Sequence, residues 1–137
     1  MGKPRASSAL YRLIEAGQLT RRALLVPLLE HGLEAGDDAV LLLLMELRQA
    51  TESELSEALG MDAAAVGARV NRLLGRGFVE RGPAAPALTL TLCGGQLCAA
   101  LAESWAALEA ALLEGLGKAE RKSLRKRLGR FVRSLHP

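Results

Sequence analysis

Residues 50–82 are cut by caps and glycines into a fixed order of short elements, and that order limits what the chain can fold into more than any other feature. The stretch TESE at 51–54 is a capping box. The Thr51 hydroxyl can accept from the Glu54 N–H while the Glu54 carboxylate reaches back to the Thr51 N–H. It opens a short helix with Leu55, Ala58 and Leu59 on its buried face, and Gly60 closes it in the left-handed conformation that helix ends favour. Asp62 caps a second helix over 62–76, whose core face is Val66, Val70, Leu73 and Leu74 at i, i+4, i+7, i+8. Arg69, Arg72 and Arg76 share another face. After Gly77 the pattern alternates, which predicts Phe78 inside and Val79 outside. FVER and ALTLTL are two short strands, joined by the uncharged tip PAAP at 83–86.

The flanks are helical. Ser7 or Ser8 can cap a helix over 8–31, broken or kinked near Pro27 and ended by Gly32. A second helix, 37–48, is apolar nearly all round and therefore buried, with Asp37 and Asp38 at its start where the dipole favours negative charge. Beyond the hairpin, Thr91 can cap a long alanine-rich helix that runs to about Glu114. The last helix, about 118–135, has Leu124, Leu128, Phe131 and Leu135 on one side and eight basic residues on the others.

Length and composition narrow the class. A chain of 137 residues suits one domain. Only four residues are aromatic, so Leu, Ala and Val must build the core, and that favours helices. The longest apolar run, AVLLLLM at 39–45, is far short of the ~20 residues a membrane span needs. No signal peptide pattern opens the chain, so a cytoplasmic protein with no membrane partner is expected. The net charge of +3 hides a segregation: residues 37–62 carry net −6, while 63–94 carry +3 and 95–137 carry +4.

Two short helices joined by a tight turn, preceded by a buried helix and followed by a hairpin, make a winged helix-turn-helix. In that arrangement the second helix enters the DNA major groove and the hairpin is the wing. The order of long helix, winged unit and two further long helices resembles the multiple-antibiotic-resistance regulator (MarR) family of bacterial transcription factors. The stretches that carry the resemblance are GLEAGDDAVLLLLMEL (32–47), ATESELSEALGMDAAAVGARVNRLLGRGFVERG (50–82) and LTLCGG (90–95). Leu73, Gly77, Phe78, Val79 and Arg81 fit the family's helix-to-wing pattern, and Leu90, Thr91 and Gly94 fit its opening of the next helix. The expected fold is mainly α: a single domain over 1–137, with a winged helix-turn-helix at 37–93 and dimerisation helices at 8–31 and 95–135.

The resemblance implies a homodimer that binds double-stranded DNA at a palindromic site through helix 62–76. It also implies release by a small aromatic effector bound between the dimer helices and the winged unit. The apolar stripes Leu10, Leu13 and Ile14, and Leu124, Leu128, Phe131 and Leu135, are the expected dimer interface. Ala64, Ala65 and Ala68 lie at the exposed start of helix 62–76, with Arg69 as the candidate base contact and Arg72, Arg76 and Arg81 as candidate phosphate contacts. Two features depart from the family: the tip GPAAP lacks the usual Asp-x-Arg, and the reading helix has alanines where Ser, Thr or Arg is common. A dimeric adaptor or ligand-binding module with little specific DNA affinity is therefore the alternative. Cys93 and Cys98 are the only candidate reactive groups, which gives a second alternative, a thiol redox sensor. His31 and His136 are isolated, so no enzyme, metal site or cofactor is expected.

Overall fold

The computed structural model describes residues 8–83 and 86–136. The elements are α1 (Ala9–Ala23), α2 (Leu25–Glu30), α3 (Asp37–Leu47), α4 (Glu52–Leu59), α5 (Ala63–Gly75), β1 (Val79–Arg81), β2 (Leu88–Leu90), α6 (Leu92–Leu112) and α7 (Lys118–Leu135). Four of the helices begin at a side-chain cap. Ser8 accepts from the Tyr11 N–H at 3.0 Å, Asp62 from Ala65 at 2.7 Å, and Thr91 from Gly94 at 3.0 Å. The capping box forms with both of its bonds, 3.1 Å to the Thr51 hydroxyl and 2.9 Å to the Glu54 carboxylate. Each such cap stabilises its helix by about 1 kcal/mol. Gly60 and Gly77 follow α4 and α5 at φ 65° and 77°, the left-handed turns that the sequence predicts.

The span 8–31 is two helices, not one. α1 stops at Ala23 because Pro27, in the first turn of α2, has no N–H to donate to the Ala23 carbonyl.

α3 is the central element. Val40, Leu41 and Leu44 are fully buried, and Leu55 of α4, Val66, Val70 and Leu73 of α5, and Leu97, Cys98 and Leu101 of α6 pack around them. Burying each of these leucines stabilises the fold by about 1.5–3 kcal/mol. The hairpin is antiparallel, pairing Val79 with Leu90, Glu80 with Thr89 and Arg81 with Leu88. The expected alternation is reversed: Val79 is buried and Phe78 only half-buried. This register puts Val79, Leu88 and Leu90 together on the α3 side of the ribbon, and Phe78 is instead covered by the Arg76 guanidinium at 5.3 Å. A further pairing links Ala50 and Leu88 through two backbone bonds of 3.1 and 2.8 Å, tying the α3–α4 connection to the wing. The uncharged tip at Ala84 and Ala85 lies outside the described residues.

Candidate nucleic-acid interface

Three stripes run along α5, and each faces something different. Val66, Val70 and Leu73 face the core. Ala64, Ala68, Asn71 and Gly75, at i, i+4, i+7 and i+11, are exposed. Ala65 is half-buried beside that stripe. The third stripe, Arg69 and Arg72, turns back toward the start of α3.

That start holds the densest electrostatic cluster among the described residues. Asp37 is fully buried, and its Oδ1 accepts from Arg69 Nη1 at 3.2 Å and from Arg72 Nη2 at 2.5 Å. Its other oxygen accepts from the Glu34 N–H at 2.8 Å. Arg72 also meets the Glu34 carboxylate at 3.0 Å. The side chains of Arg69 and Arg72 are only 24% and 31% exposed, and Arg69 Nε is buried with no partner. A buried carboxylate needs cations and donors around it, so the two arginines bracket α5 to α3. Gly36, at φ 94°, leaves room for this: a Cβ there would lie 2.9 Å from the Arg69 guanidinium carbon. Asp38, also buried, ties two other elements together. It accepts from Arg21 of α1 at 2.8 Å and from the Trp105 indole of α6 at 2.9 Å.

The other two arginines are also engaged. Arg76 donates to the carbonyls of Gly32 and His31, and Arg81 donates to the Glu52 carboxylate at 3.2 Å and to the Pro86 carbonyl at 3.4 Å. Arg69, Arg72, Arg76 and Arg81 thus each have partners within the chain. Arg69, the candidate base contact, and Arg72, a candidate phosphate contact, are turned onto Asp37 and hold the helix in place, while Arg76 at the end of α5 and Arg81 on β1 are exposed. Asn71 is the residue that charge-based reasoning passed over. Its signal was its place in the exposed stripe with Ala64 and Ala68.

The residues expected at a dimer interface are spread over α1 and α7, neither of which buries a side chain. Leu10, Leu13, Ile14, Leu128, Phe131 and Leu135 are exposed, up to 67% for Leu10 and 85% for Leu135, while Leu124 is half-buried. The cysteines are not a pair. Cys93 is exposed and Cys98 is buried against the Leu41 carbonyl at 3.4 Å. Five residues apart on one helix, they point about 140° apart. Burial pushes the Cys98 thiol up to about 11, the opposite of what a reactive thiolate requires. Among the described residues no group of three or more His, Cys, Asp or Glu could hold a metal ion, and no helix is long and apolar enough to cross a membrane.

Comparison with known proteins places this geometry. Residues 28–89 match the family model described as the sugar-specific transcriptional regulator TrmB. The structure of reduced MarR from E. coli is similar at 26% identity and a TM-score of 0.73, covering 90% of this chain and 93% of that one. A mutant of the same E. coli protein, complexed with operator DNA, gives 26% identity and a TM-score of 0.73, covering 89% and 92%. A MarR family transcriptional regulator from Silicibacter pomeroyi shares the fold at a TM-score of 0.85 and 19% identity, covering 97% and 94%. No curated protein sequence matches the chain. With the buried α3, the capped pair α4 and α5, the short wing and the long flanking helices in this order, the chain has the winged helix-turn-helix fold of the MarR-type regulators and resembles them along most of its length.

Proposed function

We propose that this chain is a transcriptional regulator that binds double-stranded DNA as a homodimer, reading a palindromic site through α5. The observation that carries this reading is the exposed stripe of Ala64, Ala68 and Asn71, backed by the Asp37 bracket on the far side of the same helix. Small side chains let the helix backbone come close to the base edges. Ala64 and Ala68 suit thymine methyls, and Asn71 suits the paired donor and acceptor of adenine. Ala65 lies behind them. Arg76 and Arg81 sit at the edges, where phosphates flank the groove. Arg69 and Arg72 act as positioning residues, keeping α5 at a fixed angle to α3.

The reading includes a dimer, because two α5 helices must lie roughly 34–36 Å apart to grip successive turns of DNA. The uncovered apolar stripes of α1 and α7 support it. The reading puts the small aromatic effector that the family resemblance implies in a cleft of about 520 Å³ between the α4–α5 turn and the end of α7, lined by Leu59, Met61, Val132 and Leu135 among others. An effector there would release DNA by favouring a different spacing of the two α5 helices. The proposed activity is binding in the cytoplasm, with no catalytic step.

The test is fluorescence anisotropy of the full chain on duplexes selected from a random pool. Asn71→Ala is expected to cost about 1–3 kcal/mol of discrimination at an adenine in the site. Ala68→Glu is expected to abolish binding with the circular dichroism unchanged. A folded dimer that binds no duplex above background at low salt would overturn the reading in favour of an adaptor built on the same fold.

A further inference from the structure

The cationic groups of α5 and the wing are committed within the chain, yet α7 carries a row of cations with no counterpart. Lys118, Lys122, Lys126 and Arg130 follow one another at four-residue steps, each about 6 Å further along the helix. All four are exposed, and Arg125 and Arg133 lie beside them. None of the six is in an ion pair among the described residues. Two other arginines of this helix are used locally: Arg121 donates to the Leu113 and Leu116 carbonyls, and Arg127 to the Ser123 hydroxyl.

An ordinary solvated helix face mixes signs, as α1 does where Arg12 meets Glu15 at 2.7 Å. Like charges four residues apart destabilise a helix, and here they recur over three successive steps. The chain has acidic residues to spare, net −6 over 37–62, but places none on this ridge. The position of α7 matters as well. Its last turn, through Val132, Leu135 and His136, lines the same cleft as Gly60 and Met61, so it ends beside the N-terminus of α5. That is the end of α5 that enters the groove.

We propose that the basic ridge of α7 is a second DNA-contact surface, which holds the phosphate backbone beside the groove that α5 enters. It rests on the regulator reading above and adds to it phosphate contacts beyond those of Arg76 and Arg81, since Arg69 and Arg72 are held by Asp37. The contact is to phosphate and carries no sequence preference.

The measurement is the salt dependence of binding by the full chain to its selected duplex and to a random duplex of equal length. The variant combines Lys122→Gln, Lys126→Gln, Arg130→Gln and Arg133→Gln, four exposed positions where glutamine keeps the helix. A companion variant with Lys122→Arg and Lys126→Arg keeps the charge. Each lost phosphate contact lowers the slope of log affinity against log salt by about 0.9. The glutamine variant is expected to lower the slope by about 2 to 3 on both duplexes and keep its site preference, while the arginine variant keeps the wild-type slope. If wild type and glutamine variant bind with equal slopes, the α7 proposal fails and the regulator reading stands. If wild type itself shows no salt-dependent binding, the regulator reading fails and takes the proposal with it. Sedimentation with vesicles of phosphatidylserine and phosphatidylcholine covers the remaining polyanion. An unchanged DNA slope together with lost vesicle binding would overturn the proposal in favour of a membrane-surface helix.

Discussion

Asp37 shows how one residue can reassign several others. A carboxylate at a helix start has a local explanation, the dipole, and needs no distant partner. Its actual partners lie 32 and 35 residues further along the chain, a separation over which sequence spacing says nothing. Asp37→Ala would leave the Arg69 guanidinium half-buried beside Gly36 without a counter-charge and Arg72 with only the exposed Glu34 carboxylate. The expected loss is about 3 kcal/mol in urea unfolding, against well under 1 kcal/mol for Glu15→Ala in the exposed pair on α1. The cysteines separate at the same scale. At pH 8 iodoacetamide is expected to modify Cys93 in the folded protein and to reach Cys98 only after unfolding, as peptide mass mapping would show. Because burial raises the Cys98 thiol to about 11, its contribution to stability is complete below about pH 9. Above that the thiol of the unfolded chain ionises first, so the contribution falls as the pH rises through 11. Cys98→Ala should flatten that part of the stability profile.

Elements were legible wherever their boundaries depend on bonds made within four residues. The capping box at Thr51, the Asp62 and Thr91 caps and the glycine stops at Gly60 and Gly77 all form as the side chains dictate, so α4, α5 and α6 lie within a residue or two of their expected spans. The wing was less legible. Phe78 and Val79 are both apolar, and alternation alone cannot say which of them faces α3; the Leu88 pairing with Ala50 decides it. The junction of wing and α6 is tighter than its sequence suggests. The Thr91 hydroxyl donates to the Gly77 carbonyl at 2.6 Å, and a Cβ at Gly94 would lie 1.9 Å from the Phe78 carbonyl oxygen. Gly94→Ala must push the start of α6 away from β1, with an expected loss of about 2–3 kcal/mol in urea unfolding. Gly95→Ala, one residue on, meets nothing within 4 Å and should be neutral or stabilising by up to about 1 kcal/mol.

At the scale of the molecule, what remains unburied is as informative as the core. α1 and α7 together expose Leu10, Leu13, Ile14, Leu128, Phe131 and Leu135, large apolar side chains that the proposed dimer would cover. Replacing Leu128 and Phe131 together by glutamate is expected to yield a folded monomer in sedimentation equilibrium. DNA affinity should fall by well over tenfold, because each half-site would then be bound alone. An unchanged sedimentation mass would show that these stripes are not the contact between copies.

The sequence alone determined the order of elements, most of their ends and the winged helix-turn-helix class. Those follow from caps, glycines and apolar periodicity, which act over one or two turns of chain. It also marked which residues are cationic. Only the tertiary structure decided what those cations do, because a charge acts on whatever comes within a few ångströms in space. Packing α5 against α3 brings Asp37 to Arg69 and Arg72 and leaves Asn71 facing outward. Among the described residues no ion pair involves the ridge of α7, and its cations are exposed.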